Sequence, residues 1–121
     1  MHKFEKLEVW QRSMSFISEI YRVTATFPKQ EMFGLIDQLR RAATAIALNI
    51  AEGSGAGTDL EFMRFLRISL RSVYEVITAL KVADNLNYGN ENEINKLLNE
   101  ADEIGAMISG LINSIKRKSS V

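Results

Sequence analysis

The sequence predicts an all-α protein, an up-down-up-down antiparallel four-helix bundle. Three observations point there. Four segments space their apolar residues at alternating steps of three and four, which gathers them on one side of a helix. The breaks between them are short, which suits a bundle of neighbouring helices. Only one proline, Pro28, occurs in 121 residues, and no strand pattern of useful length is present. A single domain over residues 1–121 is expected, with helices at about 7–27, 29–53, 58–87 and 91–117.

The first segment carries Leu7, Trp10, Met14, Ile17, Tyr21 and Thr24 as its stripe, broadened by Phe16 and Ile20. The Phe27-Pro28 step ends it, because the residue before proline is pushed out of the α region. Pro28 is placed to open the next helix, where its missing N–H is not needed. That helix buries Leu35, Leu39, Ala42, Ile46 and Asn49, flanked by Phe33, Ile36, Ala43 and Ile50. Its alanines allow close approach of a neighbour. The run Gly53-Ser54-Gly55-Ala56-Gly57 then stops it.

The third segment opens with Thr58-Asp59-Leu60-Glu61, a capping box. Its stripe is Phe62, Phe65, Leu66, Ser69, Val73, Val76, Leu80 and Ala83, and a second row through Leu70 and Ile77 suggests contacts on two sides. Asn90 is the expected cap of the fourth helix. Ile94, Leu97, Ala101, Ile104, Ile108, Leu111 and Ile115 then form a coiled-coil-like seam, flanked by Leu98, Met107 and Ile112. The tail from Lys116 to Val121 is polar and expected to fray.

Composition excludes several function classes. Lys plus Arg and Asp plus Glu both number 15, so the net charge is zero and any positive field must come from segregated charge. There is no cysteine, hence no disulfide or thiolate metal site. No run of about 18 apolar residues is present, so no membrane span is expected, and no signal-peptide core follows the first residues. A cytoplasmic protein is the expectation. His2 is the sole histidine and lies near the terminus. The glycine run follows a helix and has no Gly-Lys-Ser/Thr step, so it is not a phosphate loop. No catalytic residue, metal or cofactor is expected.

Two sets of polar residues stand out. Gln38, Arg41, Asn49 and Glu52 lie on or beside the apolar stripe of the second helix, with Glu75 of the third as the candidate partner of Arg41. Two readings stand side by side: a structural network that sets helix register, and a ligand pocket. Arg64, Arg67 and Arg71 recur at i, i+3 and i+7, a row on one face of the third helix. Arg40, Lys81, Lys116, Arg117 and Lys118 could extend its potential. This row is either a solvated face or a contact for nucleic-acid phosphates.

The pieces Phe4-Glu5-Lys6-Leu7-Glu8-Val9-Trp10-Gln11, Phe27-Pro28-Lys29-Gln30-Glu31, Phe33-Gly34-Leu35, Gln38-Leu39-Arg40-Arg41-Ala42-Ala43, Asn49-Ile50-Ala51-Glu52-Gly53, Glu61-Phe62, Phe65-Leu66 and Ser72-Val73-Tyr74-Glu75 follow one another in order. In that order the chain resembles the 23S rRNA-intervening sequence proteins, small bacterial proteins encoded in insertions within large-subunit rRNA genes and elsewhere. The resemblance implies a left-handed four-helix bundle, a homopentamer, and no catalytic residues. Similar proteins serve as accessory factors in diversity-generating retroelements, where a basic pentamer binds nucleic acid and the reverse transcriptase. RNA or DNA, or a protein partner, are therefore the expected partners. Ala45 and Ala47 stand where the family often has a serine and a proline, so no proline kink is expected.

Overall fold

The computed structural model describes residues 1–119, and among these every regular element is helical. After a 3-10 turn at Lys3–Lys6, the chain forms α1 (Glu8–Thr24), a second 3-10 turn (Lys29–Glu31), α2 (Leu35–Ser54), α3 (Asp59–Asn85) and α4 (Glu91–Ser119). Each long helix packs against two others: α1 on α2 and α4, and α3 on α2 and α4. Opposite ends meet. Gly53, late in α2, lies against Phe62 and Phe65, early in α3. Arg12 reaches Glu100, whereas Arg22 reaches Glu93. Ser119, at the end of α4, donates to Asp59 Oδ2 at 3.2 Å.

The helix starts follow the sequence signals where a cap is local. Thr58 accepts a hydrogen bond from the Glu61 backbone N–H at 3.1 Å, and Asn90 accepts from Glu93 N–H at 3.1 Å. The reciprocal half of the capping box is not made, because the Glu61 carboxylate turns to Arg64 instead. Thr58→Ala is expected to lower the unfolding free energy by about 1 kcal/mol, with Thr58→Asn restoring it. Urea titration followed by circular dichroism checks this, and an unchanged midpoint would show the cap to be dispensable.

The start of α2 departs from expectation. Pro28 precedes a 3-10 turn, and the α-helix begins only at Leu35. Glu31 supplies the cap from outside: its Oε1 accepts from the Leu35 N–H at 3.2 Å, and its Oε2 accepts from the Tyr88 hydroxyl at 3.1 Å. One carboxylate thus ties the α1–α2 corner to the α3–α4 connection. That hydrogen bond holds the Tyr88 phenol above its ordinary pKa. Phe27 fills the same end, its ring 5.7 Å from that of Tyr88. Gly89, at a positive φ of 72°, completes the turn beneath it.

The core also corrects two stripes. In α1 the buried residues are Val9, Ser13, Phe16, Ile20, Val23 and Thr24, while Met14 and Tyr21 are exposed. The helix carries two adjacent apolar stripes, and the polar residues in the buried one conceal it. Ser13 donates to Val9 C=O at 2.7 Å and Thr24 to Ile20 C=O at 2.6 Å, so both hydroxyls are satisfied within their own helix. In α4 the seam holds through Ile108, then passes from Leu111 to Ile112. A straight helix drifts about 20° per heptad against a strict seven-residue repeat, which rotates Ile112 into the core. Residues Lys116 to Ser119 continue α4 as helix where a frayed tail was expected, and the remaining tail residues Ser120 and Val121 lie outside the described residues.

Candidate nucleic-acid interface

The outward face of α3 carries the basic row. Arg64 is held by Glu61 one turn earlier, Nη2 to Oε2 at 3.0 Å, and its guanidinium lies 4.6 Å from the centroid of the Phe65 ring. The hydrogen bond from Arg64 keeps the Glu61 carboxyl below the usual carboxylate range, and the Arg64 guanidinium is raised in return. Arg67 and Arg71 are exposed and, among the described residues, have no acidic partner. With Leu70 and Tyr74, the three arginines line one shallow concavity. Arg71 and Tyr74 also line the adjoining one, together with Leu35, Gln38, Glu75, Thr78, Ala79 and Val82. The two share Arg71 and Tyr74 and so form one strip along α3, which Leu35 and Gln38 of α2 border only at the second concavity.

Of the other candidate cations, Arg40 and Lys81 separate from this row. Arg40 lies across α1: its Nε donates to Thr24 Oγ1 at 3.0 Å, its Nη2 to Tyr21 C=O at 3.3 Å, and it sits 4.5 Å over the Tyr21 ring. A cation at the last carbonyls of α1 is favourable there, so Arg40 is a strut between helices. Lys81 is exposed but lies ten residues beyond Arg71, about 15 Å along the helix. Lys116, Arg117 and Lys118 occupy the last turn of α4, where positive charge complements the helix dipole. Ser119 places that turn beside the start of α3.

The polar network expected within α2 does not form. Arg41 is 80% exposed in its side chain and pairs with Asp37 one turn away at 3.0 Å. Gln38, Glu52 and Glu75 are exposed, and Asn49 is half-buried, donating to Ala45 C=O at 2.8 Å. Leu35, Leu39, Ala42 and Ile46 are buried as the spacing predicts, and the polar residues fall beside that face, where Ala43, Ala47 and Ile50 complete the inner surface. Buried register is set by a different polar contact: Ser69, fully buried in α3, donates across to Ile46 C=O at 2.9 Å.

A charged seam between α1 and α4 escapes sequence reading. Arg12 forks onto Glu100, at 2.6 Å, and Glu103, and these hydrogen bonds raise its guanidinium. Arg22 bridges Glu19 and Glu93, each at 2.9 Å. The Arg22 hydrogen bond holds the Glu19 carboxyl low. Only the Glu19–Arg22 spacing was a local signal. The pairs that cross helices connect residues 71, 88 and 91 positions apart.

Among the described residues the buried polar side chains are Ser13, Thr24, Ser69 and Ser72, so no ionisable side chain is held in the apolar interior where a catalytic pKa would be tuned. Among them no group of three or more His, Asp or Glu residues is placed to hold a metal ion, and no helix is long and apolar enough to cross a membrane.

Comparison with known proteins adds two findings. A family model described as 23S rRNA-intervening sequence protein matches residues 5–110, well into α4 and beyond the sequence pieces that end near Glu75. The crystal structure of a protein of unknown function from the S23 ribosomal protein family of Bacteroides thetaiotaomicron has a similar fold. It is 24% identical, with a TM-score of 0.77, and the alignment covers 86% of this chain and 97% of that one. No curated protein matches.

Proposed function

Because the chain belongs to the 23S rRNA-intervening sequence protein family, we propose that it is a non-enzymatic, cytoplasmic homo-oligomer, a homopentamer, that holds nucleic-acid phosphates along α3. The observation that carries this reading is the pair Arg67 and Arg71, exposed on one concavity without an acidic partner among the described residues. Arginines free of internal ion pairs keep their donors available for phosphate oxygens. Oligomer formation is supported by apolar residues left in solvent: Phe33 is 95% exposed and Leu48 61%, and the two line one concavity with Met32. Large apolar residues of this kind, grouped on a surface, mark association sites.

The test is titration of labelled RNA and DNA with the purified protein at several salt concentrations. Two phosphates neutralised per protomer predict a fall in affinity of about 12-fold between roughly 50 and 200 mM salt. Arg67→Gln and Arg71→Gln should each flatten the salt slope by about one unit. Absence of binding at low salt would remove the nucleic-acid reading. Light scattering tests the assembly, and a mass equal to the 13.7 kDa single chain would sink it.

The exposed apolar residues also favour a second reading, a scaffold or accessory subunit that binds a protein partner and no nucleic acid. Salt-insensitive interaction with a partner, and none with RNA or DNA, would select it.

A further inference from the structure

The strip on α3 contains an aromatic residue that phosphate contacts alone do not use. Tyr74 lies one turn beyond Arg71 and lines both concavities with it. The residue is 57% exposed. The other two tyrosines are occupied: the Tyr21 ring is covered by Arg40, and Tyr88 packs on Phe27 and bonds Glu31. Among the described residues Tyr74 has no ring or cation partner, and its hydroxyl has no hydrogen bond.

We propose that this strip takes single-stranded nucleic acid, with an unpaired base stacked on Tyr74 and the adjoining phosphates held by Arg67 and Arg71. The inference rests on the phosphate-binding reading above and names the ligand class for the same site. From Arg67 to Tyr74 is seven residues, about 10 Å along the helix, so cations and ring stand in series. A phenol face is a stacking platform only for a base whose own face is free. In a duplex the faces are covered by neighbouring base pairs, whereas an unpaired strand can splay a base onto the ring. Glu75, exposed beside Tyr74, repels phosphate, which keeps the backbone on the Arg67–Arg71 side. Gln38 faces the same concavity from α2 and offers an amide to a base edge.

The experiment compares anisotropy of a labelled oligothymidylate of about 16 nucleotides, an abasic strand of equal length and a duplex, all on the intact assembly. The oligothymidylate should bind more tightly than either of the others. Tyr74→Ala should weaken it about 5- to 100-fold with the salt slope unchanged, while Tyr74→Phe keeps the affinity and duplex binding stays as it was. An unchanged oligothymidylate affinity in Tyr74→Ala overturns the inference, and if Arg67→Gln still weakens binding, the phosphate reading stands alone. Absence of binding to all three probes removes both. Loss of binding together with a lower assembly mass in Tyr74→Ala would assign the ring to a contact between copies and also overturn the inference.

Discussion

Phe16→Ala is expected to lower the unfolding free energy by about 3–5 kcal/mol, the range for an aromatic side chain removed from a closed core. Met14→Ala should stay within about 0.5 kcal/mol. The two residues are two positions apart and both apolar, yet Phe16 is 2% exposed and Met14 44%. Phe16 is enclosed by the core that α1 shares with α2 and α4, so its loss leaves a cavity that helix packing cannot collapse. Guanidinium titrations at one fixed protein concentration measure the difference, since assembly would otherwise add a concentration term. Equal costs at the two positions would mean that α1 faces the core through the Met14 stripe instead.

The second large effect is at Gly53. A Cβ added there would lie 2.8 Å from Phe65 Cβ, 2.9 Å from Phe62 Cδ1 and 3.2 Å from Phe62 C=O. Two of those atoms belong to the backbone or are fixed to it, so they cannot swing aside. Gly53→Ala is therefore expected to destabilise by about 1–3 kcal/mol, although alanine is the better helix former. Gly110 supplies the internal contrast. It also lies inside a helix, but a Cβ there meets nothing within 4 Å. Gly110→Ala should stabilise by about 0.5–1 kcal/mol, chiefly through the entropy of the unfolded chain. Opposite signs from one chemical change are the diagnostic. If both variants gained stability, α2 and α3 would not approach as closely as Gly53 requires.

Gly53 also illustrates how a local signal misleads. In the sequence it opens a glycine run and reads as the stop of the second helix. In the fold it is helical and buried, the helix runs one residue further to Ser54, and Gly55 follows as the cap. A glycine has two uses, freedom of φ and absence of a Cβ, and the sequence alone does not say which one a position needs. The candidate interface divides in the same way. The i, i+3, i+7 spacing was enough to put Arg64, Arg67 and Arg71 on one face. It could not show that Arg64 is engaged by Glu61 while the other two stay open, nor that Tyr74, which the same spacing puts on that face, is left exposed. Arg40 looked like part of the field and is instead bound across α1, because its partners Tyr21 and Thr24 come from another helix.

What the sequence by itself determined is the set of properties encoded within a turn or two of chain: four helices, the caps at Thr58 and Asn90, the long seam of α4, and a match to one family over residues 5–110. Only the tertiary structure decided which of two stripes α1 buries, that Glu31 caps α2 while binding Tyr88, and that Arg41, Glu52 and Glu75 face outward. The physical reason is range. Helix formation and capping are hydrogen-bond contests among near neighbours, whereas the choice of a buried face depends on where other helices stand, and that information is spread across the whole chain.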